Sequence, residues 1–368
     1  MCKKGERTML EEKYMRFAIQ LAKQTMQQTS PNPPVGAVIV KDGHIVGFGA
    51  HLMRGDAHAE VHAIEMAGKK TQGATLYVTL EPCCHYGKTP PCTELIMKSE
   101  IKRVVIACQD IHHVVAGKGV AQLQEANIDV SVGLLQEEAK PLYEQFFHYV
   151  SEKRPFVSVK AAMSLDGKTA TETLESKWIT NEVARTDAQQ YRHMYDAILV
   201  GVNTVIADNP RLTTRLRGGK NPIRVILDST LRTPLDANVI QDKATETWIF
   251  TGKATSDAQI EQYTKHSPVR IFKMNTNDVK VKDVLTTLYE QEVMSVYVEG
   301  GATVNSSFLQ AKLIDQLIMY VAPILIGGKR APGIFNGPGI ERLTDALHLS
   351  IDEITTIDGQ IKIVAKRK

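Results

Sequence analysis

Two consecutive α/β domains are the fold class this sequence predicts, and three observations predict it. The chain has 368 residues, more than one domain ordinarily holds. Short apolar runs alternate with segments of helical period through both halves, as layered α/β folds require. At "HYVSEKRP" this pattern breaks and restarts, which sets the expected domains at residues 1–150 and 151–368. With 43% apolar residues, each half can bury an ordinary core.

The elements follow in order. Met15, Ala18, Ile19, Ala22 and Met26 recur at helical spacing over residues 11–28, and "SPNPP" stops that helix. "VGAVIV" and "HIVGFGAH" flank Asp42-Gly43, a hairpin signal. Residues 59–68 read as a helix, "ATLYVTL" as a buried strand running into "EPCC", and residues 92–98 as a short helix. "RVVIACQD" and "IDVSVG" complete an α/β sandwich. In the second half, "FVSVKAAMSLDG" is a strand ending in a turn, and residues 180–195 are a helix. "AILVG", "IRVILDS", "TWIFTG", "VRIFKM" and "SVYVEGG" are further strands of a largely parallel sheet. "LIMYVAPILIG" and "GQIKIVAKR" close it, with antiparallel pairing expected at that edge.

Composition excludes several classes. A net charge of +3 without long charge runs gives no electrostatic case for nucleic acid or a membrane surface. No apolar run is long enough to span a bilayer, and "MCKKGERTML" is followed by no signal-peptide core. Five cysteines, three of them within residues 83–92, do not form a disulfide framework. A cytoplasmic enzyme acting on small molecules is the expectation, and in that compartment a Cys/His cluster reads as a metal or catalytic site.

"HAEVHAIEMAG" and "TLEPCCHYGKTPPC" offer His58, His62, Cys83, Cys84, His85 and Cys92 as zinc donors. Taken singly, each is an ordinary turn or helix residue. Together they place one cysteine after a proline at a strand end, another after Pro-Pro at a helix start, and a His-x-Glu upstream. A helical protease site needs H-E-x-x-H, whereas this segment reads H-A-E-V-H. Residues two apart on a helix face nearly opposite ways, so Glu60 cannot share a face with a metal bound by His58 and His62. The conflict disappears if the metal sits at the helix N-terminus, with His62 packed behind it. An isolated Glu60 would only favour the helix dipole.

His58-Ala59-Glu60, Pro82-Cys83 and Cys92 resemble the zinc nucleobase deaminases, whose signature is H-x-E…P-C-x-x-C. The departure is the spacing: eight residues, "CHYGKTPP", separate Cys83 from Cys92. That insertion, with "SPNPPVGAVIV" and "HAEVHA", is similar to the deaminase half of the bifunctional riboflavin biosynthesis deaminase-reductases, and the resemblance runs along the whole chain. It implies a cytidine-deaminase-like α/β/α sandwich in which His58, Cys83 and Cys92 hold Zn2+. There, zinc acidifies a water and Glu60 shuttles its proton to a ring nitrogen and the leaving amine. Cys84 is spare. The resemblance further implies that Asn32, His51 and Lys88 bind a phosphorylated pyrimidine. Members begin near "MLEEKYM", which sets Met9 beside Met1 as a start.

No G-x-G-x-x-G follows a strand in the second half, so a Rossmann site is not expected. "VEGGATVNSSF" places two glycines before a helix, a weak phosphate signal by itself. "VKAAMSLDGKTAT", "ESKWIT" and "AILVGVNTVIADNPRLTTR" resemble the reductase half of the same family. The resemblance implies a dihydrofolate-reductase-like α/β domain that uses NADPH to reduce the ribosyl group to a ribityl chain. Its cofactor contacts fall on Ala162, Trp178, Thr204, Asp208, Ser229 and a loop of Gly301, Ala302, Thr303, Val304, Asn305, Ser306 and Ser307. Its substrate contacts fall on Lys160, Ser176, Arg192, Leu212, Arg215 and Glu299, with Arg192 and Arg215 as phosphate clamps. A homo-oligomer is the expected assembly. Two alternatives stand beside this reading. One is a salvage or RNA-editing deaminase joined to an unrelated reductase. The other is a binding protein with a structural zinc, which needs a fourth protein ligand such as Cys84 or His85.

Overall fold

Alternate residues of the first strand bury toward opposite faces. In β1 (Gly36–Lys41), Val38 and Val40 join one apolar cluster while Ala37 and Ile39 join another, as the two-residue period of an extended chain dictates. A sheet apolar on both faces needs helices on both. This computed structural model describes residues 2–368 apart from 27, 88–89, 113–114 and 266–267, with side chains described from residue 8 onward. The chain divides into two units, Met1–Lys153 and Arg154–Lys368.

The first unit runs α1 (Cys2–Thr25), β1, β2 (His44–Ala50), α2 (Ala59–Ala67), β3 (Thr75–Leu80), α3 (Cys92–Lys98), β4 (Arg103–Cys108), α4 (Lys118–Glu125), β5 (Asp129–Val132), α5 (Gln136–Ala139) and α6 (Glu144–Glu152). Its sheet has the order β2-β1-β3-β4-β5, with β1 antiparallel to both neighbours and β3, β4 and β5 parallel. Asp42 and Gly43 turn the hairpin with φ of 50° and 78°, the positive pair that a type I′ turn demands. Met15, Ala18, Ile19 and Ala22 of α1 cover one face. Ala59 and Ala63 of α2, Ile96 of α3 and Leu123 of α4 cover the other. The α2 helix lies very close to β2: a Cβ at Gly49 would fall 2.5 Å from the Ala59 carbonyl oxygen and 2.6 Å from the His62 Cβ.

The second unit runs β6 (Phe156–Ser164), α7 (Glu182–Met194), β7 (Ala197–Gly201), α8 (Val202–Asp208), β8 (Ile223–Leu227), α9 (Asn238–Gln241), β9 (Thr247–Thr251), α10 (Asp257–Thr264), β10 (Val269–Lys273), α11 (Val281–Glu290), β11 (Ser295–Gly300), α12 (Ala302–Gln310), β12 (Gln316–Ala322), β13 (Leu349–Ile357) and β14 (Gln360–Arg367). Its nine-stranded sheet has the order β10-β9-β8-β7-β11-β6-β12-β14-β13. The strands from β10 to β12 are parallel, and β14 and β13 add antiparallel at the edge. Apolar clusters fill both faces, with Ile198 and Val200 of β7 on one and Ala197 and Leu199 on the other. The strand expected through "LIMYVAPILIG" stops at Ala322, because Pro323 offers no N–H to continue the ladder. β13 is an element that the sequence reading does not contain.

Candidate active sites

Three separate elements bring the metal donors of the first unit together. His58 is the N-cap of α2, in extended conformation (φ −73°, ψ 165°), so its side chain is free of the helical repeat. Cys83 follows the end of β3, and Cys92 opens α3 after Pro91. His58 Nδ1 lies 3.3 Å from Cys92 Sγ and 3.4 Å from Cys83 Sγ, and all three donors fall within 4.8 Å of one another. Donors on a tetrahedral zinc with Zn–N near 2.0 Å and Zn–S near 2.3 Å sit about 3.5 Å apart, so the triangle fits that ion. Among the described residues no fourth His, Cys, Asp or Glu joins the group. A three-ligand shell leaves a position for water, which favours a catalytic over a structural zinc. His62 stands outside the group, with a buried Nε2 that has no hydrogen-bond partner.

The electrostatics suit a cation. Hydrogen bonding from the Cys92 thiol, then from His58, pulls the Cys83 pKa down to about 4, despite burial. The same contact with Cys83 pushes Cys92 up, and it raises His58 to about 9. A metal would displace the protons this cluster now holds. Glu60, in the first turn of α2 and 3% exposed, is pushed up by burial.

The triangle opens into a cavity of about 340 Å³ that Glu60, Asn32 and His51 also line. Asn32 Nδ2 donates to His51 Nε2 at 3.2 Å, and His51 Nδ1 donates to the Ala57 carbonyl at 3.2 Å. That pairing fixes the His51 tautomer, and burial lowers its pKa. Lys88 lies outside the described residues. Arg54, Glu81, Asp110 and His112 line the cavity as well, and the sequence reading does not include them. Glu81 and Asp110 stand just beyond the carboxyl ends of the parallel strands β3 and β4, where open α/β sheets bind ligands. That rule was the available signal.

In the second unit, β7, β11 and β6 are neighbours, and their carboxyl ends border two adjoining clefts of about 490 and 280 Å³. Lys160, Trp178 and Glu299 line both, and Ala162 and Ser176 line the smaller. Arg192 Nε and Nη2 donate to the two Glu299 carboxylate oxygens at 2.6 and 2.8 Å, and Nη1 donates to the Thr213 carbonyl at 3.0 Å. Both expected phosphate clamps, Arg192 and Arg215, line the larger cleft; Arg192 holds Glu299 there with its fork, and Arg215 is the exposed one of the two. Burial lowers the Lys160 pKa, while Arg192 and Lys160 help hold Glu299 down against its own desolvation.

The remaining reductase positions divide. Thr204 Oγ1 accepts the Gly301 N–H at 3.2 Å. Asp208 pairs with Lys177 at 2.9 Å, and the Arg185 guanidinium lies 4.4 Å from the Trp178 ring centroid. Residues 301–307 are the N-cap and first turns of α12, the helix expected after the two glycines. Gly301, Ala302 and Asn305 line the smaller cleft, whereas Thr303, Val304, Ser306 and Ser307 line neither. The helical period turns Thr303, Val304 and Ser307 away, while Ser306 is buried against Gly337. Leu212 lines the larger cleft but its side chain is buried in the core. Ser229 lines neither cleft, and its carbonyl accepts the Gly252 N–H.

Comparison with known proteins finds two family matches along the chain. The family described as "Cytidine and deoxycytidylate deaminase zinc-binding region" matches residues 9–108, and that described as "RibD C-terminal domain" matches residues 155–363. The chain is 54% identical to the riboflavin biosynthesis protein RibD of Bacillus amyloliquefaciens, covering 97% of this chain and 96% of that protein. It is 40% identical to RibD of Escherichia coli, covering 96% and 98%. A solved diaminohydroxyphosphoribosylaminopyrimidine deaminase/5-amino-6-(5-phosphoribosylamino)uracil reductase of Thermotoga maritima superposes with TM-score 0.86 at 38% identity, covering 98% of this chain and 100% of that one. The first unit is thus a cytidine-deaminase-like α/β/α sandwich and the second a dihydrofolate-reductase-like α/β domain. With matches that span both units at this identity, the chain belongs to the RibD family of riboflavin biosynthesis proteins.

Proposed function

We propose that this chain is a bifunctional enzyme of riboflavin biosynthesis, with a deaminase over residues 1–150 and a reductase over residues 151–368. It deaminates 2,5-diamino-6-ribosylamino-4(3H)-pyrimidinone 5′-phosphate, then reduces the ribosyl group to give 5-amino-6-ribitylaminouracil 5′-phosphate. The observation that carries the reading is the His58/Cys83/Cys92 triangle with Glu60 beside it at the wall of one cavity.

Bound zinc supplies a Lewis acid that brings the ionisation of water near neutral pH. Glu60 takes the water proton and passes it to a ring nitrogen, then takes the proton of the hydroxyl added to the ring carbon and delivers it to the leaving amine. Its dry surroundings raise its pKa toward the range that suits such a shuttle. Asn32 and His51 orient the pyrimidine, and Lys88 meets the phosphate. In the second unit NADPH supplies hydride. Ala162, Trp178, Thr204, Asp208, Gly301, Ala302 and Asn305 form its seat. Lys160, Ser176, Arg192, Leu212, Arg215 and Glu299 form the substrate wall, with Arg192 acting by holding Glu299.

The partners are small phosphorylated pyrimidines, and the enzyme works as a homo-oligomer in the cytoplasm without nucleic acid or membrane. The near-neutral charge argues against a nucleic-acid or membrane-surface partner, and no helix among the described residues is long and apolar enough to cross a membrane. Glu60→Gln tests the shuttle. The variant keeps its zinc and its reductase rate, while deamination falls at least ~100-fold. Normal deaminase turnover in Glu60→Gln refutes the role.

A further inference from the structure

Glu81 is buried, at 4% exposure, yet belongs to none of the roles above. It follows β3 directly and precedes Pro82-Cys83. Its carboxylate accepts three backbone N–H groups: Asp110 at 3.2 Å, Gly117 at 3.0 Å and Val120 at 3.1 Å. Val120 belongs to the first turn of α4, whose leading N–H groups have no partner within the helix and whose positive end favours a carboxylate. Asp110 and Gly117 bracket the segment between β4 and α4, which contributes Asp110, His112 and Val115 to the deaminase cavity.

The fit is close. At Gly119 a Cβ would come 2.3 Å from the Pro82 carbonyl oxygen and 3.1 Å from Glu81 Oε1, so α4 is seated directly on the Glu81-Pro82 turn. A second tie runs from the other cysteine. Thr93, next to Cys92, donates its hydroxyl to Gln122 Oε1 of α4 at 2.9 Å, and its N–H donates to the Cys83 carbonyl at 3.2 Å.

We propose that Glu81 is a positioning residue of the deaminase, holding the cavity wall formed by Asp110, His112 and Val115 at a fixed distance from the metal donors. Two charge-assisted hydrogen bonds, from Asp110 and Gly117, join that segment to the strand end carrying Cys83, and the third, from Val120, ties in the α4 helix that follows it. Without them the donors keep their own geometry, but the wall that packs against the substrate loses its register. Binding then suffers more than the chemical step.

This inference rests on the deaminase reading, and wild-type deamination is its control: absence of that activity defeats the reading itself. Glu81→Gln retains size but turns an amide NH2 toward backbone N–H groups. The expected result is KM for the pyrimidine raised about tenfold, with kcat within about threefold, one zinc per chain and an unchanged reductase rate. Unchanged KM, or a fall in kcat alone, overturns the proposal, and loss of zinc moves the role to holding the ligands instead. Thr93→Val keeps the measurement decisive if Glu81→Gln does not fold. It removes only the second tie and should raise KM about threefold, whereas an unaltered KM counts against the wall.

Discussion

Arg192 and Glu299 show how two residues define one another. Each side chain is nearly buried, at 14% and 13% exposure, and the two form a bidentate pair. Removing one partner leaves the other charge stranded in a poorly solvated place, which destabilises strongly. Arg192→Met should therefore lower the stability of the second unit by about 3 kcal/mol in chemical denaturation. Arg192→Met combined with Glu299→Gln should recover about half of that loss, since the stranded Glu299 charge is gone while Lys160 loses a counter-charge. Additive losses would show that the pair is not a coupled unit. At this scale the sequence is readable where chemistry demands particular residue types. His58, Glu60, Cys83 and Cys92 announce themselves by type and spacing. Glu81 does not, because its meaning lies in three backbone N–H groups that are 29 to 39 residues away in the chain. For the same reason the pairing of Arg192 with Glu299, 107 residues away, is not legible in the sequence.

Elements are legible where one face is buried. The strands of both sheets are found because their apolar residues are consecutive or alternate, and α1 because its buried residues repeat at helical spacing. β13 escapes because it is an edge strand whose Ile351 and Ile354 are each 63% exposed, so no buried face marks it. The α5 and α6 helices escape because one has four residues and the other has no buried residue. The element that matters most for catalysis is α2, since its N-terminus presents both His58 and Glu60. Its seat on β2 depends on Gly49, where a side chain would meet the Ala59 carbonyl and the His62 Cβ. Gly49→Ala should force α2 off the sheet. The expected cost is about 2 kcal/mol to the first unit, with weaker zinc binding and an unaltered reductase rate. A Gly49→Ala protein with wild-type melting and zinc affinity would show that α2 has room to spare.

In the whole molecule, two chemistries are carried by two units. The deaminase cavity is lined by residues between 32 and 146, and the reductase clefts by residues between 160 and 334. Each site gathers at the carboxyl ends of parallel strands in its own sheet, and each needs a different helper, Zn2+ or NADPH. The division into two α/β units is legible in the break at "HYVSEKRP". The order of the nine-stranded sheet is not, because strand neighbours such as β11 and β6 are distant in the chain. The most direct test of the bifunctional reading is to incubate the purified protein with 2,5-diamino-6-ribosylamino-4(3H)-pyrimidinone 5′-phosphate, with and without NADPH and with and without a zinc chelator, and follow the products by mass spectrometry. The account predicts exchange of the ring amine for oxygen without NADPH, gain of two hydrogens on the sugar only with it, and loss of the first step under the chelator. An untouched ring amine on a protein that still holds its zinc would contradict it.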